Sequence, residues 1–172
     1  MRGAALVLML AASCTSAPNP VVLPTSVPKG ALEAICLRLH DEGMSGSLRV
    51  VGSSQPLITR AALQAMAEAA FFRGNVDPES VTAAVSAPPM PVDIPERSCT
   101  ARVIESIDAT RDADAMVIQF SRPFANPFVH RQLGLLARLS LGGEAATWYW
   151  IPLAQQNTRW IAGSPMTLAV TE

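Results

Sequence analysis

The chain has 172 residues and a formal net charge of −1, with 13 Lys and Arg against 14 Asp and Glu, a length that fits one domain with short extensions. No basic stripe is present, which argues against nucleic acid as a partner. Charged residues make up 16% and apolar ones 49%, so there is ample material for a core and little solubilising surface.

The first fourteen residues have the layout of an export signal. Arg2 forms a short positive region, Ala4 to Leu10 an apolar one, and Ala11-Ala12-Ser13 are small residues directly before Cys14. The segment is too short for a permanent membrane span. Small residues followed at once by cysteine resemble the lipobox of bacterial lipoproteins, which implies that Cys14 is the lipidated mature N-terminus. The pattern departs from that family at Ala11, where leucine is preferred; ordinary secretion to the periplasm or beyond is the alternative. With Cys14 lipidated, Cys36 and Cys99 remain as a pair. In an oxidising envelope they are expected to form a disulfide closing a loop of about 64 residues, worth roughly 4 kcal/mol in the chain-entropy model.

Thr15 to Pro28 carries prolines at 18, 20, 24 and 28 and reads as an extended tether. The folded domain is then expected over 29–172. Gly30 to Asp41 is a helix, with Leu32, Ile35, Cys36 and Leu39 on one apolar face and Gly43 to end it. Leu48 to Gly52 is a short strand. Thr59 is placed to cap a second helix over 60–73, and Asp77-Pro78 to start a third that ends near Ser86. Pro88 to Pro95 separates this helical half from a stranded one. Thr100 to Asp108 and Ala115 to Ser121 are expected to pair as a hairpin through a polar turn at Thr110-Arg111-Asp112.

Leu135, Ala137, Leu139 and Leu141 alternate with Leu136, Arg138 and Ser140, the period of a strand with one buried face. A turn at Gly142-Gly143-Glu144 leads to a second strand over Thr147 to Leu153. Pairing Leu141 with Ala146 sets Trp150 opposite Ala137 and brings both Trp148 and Trp150 onto the leucine face. Tyr149, Ile151, Leu153 and, after a turn at Gln155 to Thr158, Trp160 then lie on the other. A strand apolar on both sides belongs in the middle of its sheet.

Few residues suggest chemistry. His40-Asp41-Glu42 is the densest titratable cluster, but adjacent residues at a helix end point in different directions. Gly52-Ser53-Ser54 lacks the second glycine of a nucleophile elbow, and no phosphate-binding glycine pattern occurs. With two histidines in the chain, no metal or cofactor is expected. Arg122, Phe124, Phe128, His130 and Arg131 mark the candidate binding loop, since functional groups concentrate on loops held by a rigid scaffold. The hairpin from Trp148-Tyr149-Trp150 to Arg159-Trp160-Ile161 resembles the end of NTF2-like and related cone-shaped (cystatin-like) domains, where a helix covers a curved antiparallel sheet. The resemblance implies no catalytic residue.

These readings converge on an α+β fold, two or three helices on one face of an antiparallel sheet of four to six strands. The expected role is that of a non-catalytic bacterial envelope domain, lipid-anchored and facing the periplasm, binding a partner protein or small apolar ligand. The alternatives are a small NTF2-like enzyme with a pocket between helix and sheet, and a structural subunit of an envelope complex.

Overall fold

The computed structural model describes residues 22–44, 47–51, 83–84, 86–87, 92, 101–104, 115–125, 132–141 and 145–171. They build one full helix, α1 (Lys29–Asp41), and eight strands. The strands are β1 (Leu48–Val51), β2 (Ala101–Ile104), β3 (Met116–Phe120), β4 (Phe124–Ala125), β5 (Leu133–Leu141), β6 (Ala146–Gln156), β7 (Arg159–Ala162) and β8 (Met166–Thr171). All belong to one sheet in the order β2-β1-β3-β5-β6-β7, with β4 also on β5 and β8 also on β6. The sheet curls into half a barrel, and α1 lies on one face of it. A helix on a sheet is thus present, but the expected two or three helices reduce to one among the described residues. Ala83, Ala84 and Ser86 are helical, whereas the helix expected over 60–73 and the start at Asp77-Pro78 lie outside the described residues.

α1 follows from its sequence. Leu32, Ile35, Cys36 and Leu39 are all buried in the core, as their i, i+3, i+4, i+7 spacing dictates. The helix ends because Gly43 takes φ 73, a left-handed conformation that suits glycine. Its N–H then donates to the His40 carbonyl at 2.9 Å, and that of Met44 to the Leu39 carbonyl at 2.9 Å. The turn folds Met44 back against the core. Upstream, Val27 is buried in the same cluster, and the Val22 carbonyl accepts the Trp160 indole N–H at 3.0 Å. The last residues of the proline-rich stretch therefore pack on the domain; residues 15–21 lie outside the described ones.

β5 and β6 are the spine. Their register sets Ser140 opposite Ala146, Arg138 opposite Trp148, Ala137 opposite Tyr149 and Leu136 opposite Trp150. This is one residue away from the pairing of Leu141 with Ala146 expected from the sequence. Since side chains alternate faces, a slip of one exchanges the sides of every β6 residue relative to β5. Tyr149, Ile151 and Leu153 therefore join Leu135, Ala137 and Leu139 under α1. Trp148 and Trp150 go to the opposite face with Leu136. Within β6 and β7 the expected faces hold: Trp160, opposite Gln155, shares the side of Tyr149, Ile151 and Leu153.

Trp150 is accommodated by the absence of a side chain at Gly134. A Cβ there would fall 1.9 and 2.0 Å from two carbons of the indole. The ring lies across β5 at this point and meets Phe124 edge-on, with centroids 5.2 Å apart at 64°. An aromatic laid over a strand glycine shields backbone that would otherwise be bare.

Both neighbours of the spine are interrupted, and each interruption is chemically closed. Pro152 has no N–H to give, so the strand beside it breaks between β7 and β8; there the Gly163 N–H donates to the Pro152 carbonyl at 2.8 Å. Proline in a central strand is tolerated where its partner strand lapses. On the other side β3 and β4 break around Ser121. The Ser121 N–H donates to the Leu136 carbonyl, and the Leu136 N–H, which would lack a backbone partner, donates to Ser121 Oγ at 2.9 Å.

The first part of the sheet differs from expectation. β2 and β3 do not form a hairpin; β1 lies between them and runs parallel to both. The sheet is therefore mixed rather than antiparallel, and has eight strands instead of four to six. Leu48, Val50 and Val51 are all buried, consistent with a central position flanked on both edges.

The Gly134–Trp150 contact makes a direct prediction. Gly134→Ala forces the indole to move and should destabilise the protein by about 1–3 kcal/mol in denaturant unfolding. Gly30→Ala, whose added Cβ meets Ala162 at an ordinary 3.6 Å, should be neutral or slightly stabilising because alanine favours helix. Equal effects of the two would contradict the placement of Trp150.

Candidate functional site

The described apolar residues between α1 and the sheet are buried. Leu32, Ile35, Leu48, Ile118, Phe120, Leu135 and Ile151 meet there without solvent exposure. A concave feature lies outside this interface, where the exposed flank of α1 faces the end of β7 and the 163–165 break. This groove, of about 600 Å³, is lined by Ala34, Leu37, Arg38, Asp41, Ile161 and Pro165, among others. The local cause is plain: α1 buries one stripe, which leaves Leu37 67% exposed on its other side. β7 ends at Ala162, just before Gly163, because Pro152 cannot continue the ladder. Ile161, 43% exposed, and Pro165 form the apolar wall opposite Leu37.

One end of the groove is held by charge. Arg38 Nε lies 2.6 Å from Glu42 Oε1, an i, i+4 pair on the last turn of α1. The second Glu42 oxygen accepts the Tyr149 hydroxyl at 3.3 Å, across 107 residues of sequence. The Tyr149 ring is buried under α1 while its hydroxyl reaches the rim. Burial first, then the negative charge of Glu42 and its hydrogen bond, push the phenol pKa up from 10.0 to about 12, with Arg38 opposing. The i, i+4 spacing of Arg38 and Glu42 is visible in the sequence; the tyrosine completing the group is not, because the register put Tyr149 on the other face.

The other sequence candidates separate. Arg122 is exposed, whereas Phe124 is buried in β4 against Trp150, so Phe124 is a core residue rather than part of an open binding loop. Phe128, His130 and Arg131 lie outside the described residues, as do Cys14, Cys99 and Gly52-Ser53-Ser54. Cys36 is buried and disulfide-bonded. His40 Nδ1 and Asp41 Oδ1 are 3.8 Å apart with both side chains in solvent, 88% and 78% exposed; such a pair contributes little. Among the described residues no group of three His, Cys, Asp or Glu is placed to hold a metal, and no helix is long and apolar enough to cross a membrane. Compared with family models, curated proteins and solved structures, the chain matches none.

Tyr149 is the only tyrosine, so its ionisation can be followed directly by ultraviolet absorbance. The midpoint should lie near 12, and Glu42→Gln should lower it only in part, because burial, the larger cause, remains. A phenol whose pKa is higher in the folded state stabilises the fold while neutral. That contribution is complete below about pH 10 and disappears as pH rises through about 12. A midpoint near 10 in the folded wild-type protein would place the hydroxyl in water instead.

Proposed function

We propose that this chain is a bacterial envelope domain, anchored by a lipid on Cys14 and facing the periplasm, that binds a segment of a partner protein without catalysing a reaction. The observation that carries the binding role is the groove beside α1. An exposed leucine and isoleucine face each other across it, whereas the described apolar residues between α1 and the sheet are buried. A small apolar ligand is usually enclosed on most sides, whereas this groove is open and suits side chains presented by another protein. Its rim carries the Asp41 carboxylate, while Arg38 is committed to Glu42. An apolar segment flanked by a basic residue fits that charge. The disulfide at Cys36 supports an oxidising compartment, and Cys99 is its proposed partner. A net charge of −1 offers nucleic acid no electrostatic footprint.

Two experiments test this. A photo-crosslinking residue in place of Leu37 should capture a discrete envelope protein in intact cells, and the same residue in place of Gln156 should not. Loss of the crosslink in Ile161→Asp, with an unchanged melting temperature, is expected; identical patterns from both positions would refute a specific groove partner. Separately, Cys14→Ser should leave the membrane fraction, and non-reducing peptide mapping should join Cys36 to Cys99. Unchanged membrane retention would remove the anchor.

A further inference from the structure

The face of the sheet turned away from α1 holds an unusual polar row. Gln119 on β3, Arg138 on β5 and Trp148 on β6 are directly opposite one another across three adjacent strands, and residues so paired place their side chains side by side. Gln119 is buried and Trp148 fully so, while Arg138 is partly exposed. The Arg138 guanidinium stands 6.0 Å from the centre of the Trp148 ring. Among the described residues no carboxylate pairs with it, and burial lowers its pKa from the ordinary value. The Trp148 indole N–H is fully buried and has no hydrogen-bond partner among the described residues.

Neither condition is ordinary. A buried N–H without an acceptor costs about 1–3 kcal/mol, and tryptophan in a core normally finds a partner for it. A guanidinium drawn from water is normally matched by an acid. An indole N–H lacking an acceptor thus stands beside a partly exposed guanidinium with no carboxylate partner among the described residues, and the opening to solvent is at Arg138. On this face Leu136 and Trp150 are apolar, and Ser140, two residues along β5 from Arg138, is a buried polar neighbour.

We infer that this face carries a binding site for an apolar organic monocarboxylate, one oxygen taken by the Trp148 indole N–H and the carboxylate held by the Arg138 guanidinium. The planar fork of arginine matches a carboxylate. One cation in an apolar setting balances a single negative charge, so a dianion such as phosphate fits less well. Gln119 stands beside the site as a further donor. This goes beyond the partner-binding reading: it involves the other face of the sheet and does not depend on the groove.

The full-length chain labelled with 15N at its three tryptophans gives one indole signal for each. Titration with octanoate should move the Trp148 signal saturably and downfield while leaving that of Trp160 in place. Octanol and inorganic phosphate at the same concentrations should not move it. Arg138→Gln should weaken octanoate binding at least tenfold, with the Trp160 signal reporting that the fold is kept. No saturable shift with octanoate, an equal shift with octanol or with phosphate, or undiminished binding by a folded Arg138→Gln protein would each overturn the proposal. Should that variant fail to fold, the contrast between octanoate and octanol on the wild-type chain decides alone. Partner crosslinking at Leu37 is unaffected by either outcome.

Discussion

The pairing of β5 with β6 is the constraint on which the rest of the structure depends. Both strands are buried on both faces, so their register decides which half of the apolar residues α1 must cover and which half it leaves to the other side. Register here is not specified by an apolar–polar alternation, because neither strand has a wet face to betray a slip. It is specified by shape. Gly134 is the position on β5 where the Trp150 indole can lie across the strand, and the same register brings the missing N–H of Pro152 opposite the break between β7 and β8. Moving β6 by one residue would set the ring against a side chain.

Two consequences of that register reach the surface. On the α1 side it delivers the Tyr149 hydroxyl to Glu42, which ties the last turn of the helix, and through Arg38 the end of the groove, to the middle of the sheet. On the other side it aligns Gln119, Arg138 and Trp148, placing a guanidinium beside an indole N–H that has no acceptor among the described residues. The two faces are therefore chemically unlike: one is a buried hydrocarbon interior with a charged rim, the other an apolar layer crossed by donors. The interruptions of the flanking strands follow from the same spine. Ser121 supplies through its hydroxyl the acceptor that the break in β3 and β4 removes from Leu136, and Gly163 supplies the donor that meets Pro152.

Much of this was legible in the sequence where one residue acts locally. The limits of α1, its buried stripe and its end at Gly43 follow from spacing and from the one residue type that suits φ 73. The turn after β6 is legible too, but it is tighter than Gln155 to Thr158: Gln155 and Gln156 belong to β6, and Asn157, taking φ 56, a conformation asparagine tolerates, turns the chain with Thr158. That β6 is apolar on both sides, and so central, was also readable. What failed was relational. Period-two patterns place Leu135, Ala137 and Leu139 together and Tyr149, Ile151 and Leu153 together, but only the length of the connection decides whether the two sets share a face. Counting Gly142-Gly143-Glu144 as the whole turn made it one residue too short at its β5 end, since Leu141 pairs with Met116 of β3 and not with Ala146. In the same way Ala101–Ile104 and Met116–Phe120 are recognisable strands, but nothing in their residues says that β1 lies between them. β8 was missed because Met166–Thr171 follows a proline and pairs with the part of β6 that β7 leaves free.

The register itself can be measured without perturbing the protein. Pro152 and Leu136 direct their backbone groups to the outer strands, so Leu136–Trp150 and Arg138–Trp148 are the close, non-hydrogen-bonded pairs of the β5–β6 ladder, whose Hα atoms approach most nearly. A nuclear Overhauser spectrum of the folded domain should show strong Hα–Hα cross-peaks from Leu136 to Trp150 and from Arg138 to Trp148. Strong cross-peaks from Ala137 to Trp150 and from Leu139 to Trp148 would instead put the tryptophans under α1 and contradict the account of both faces.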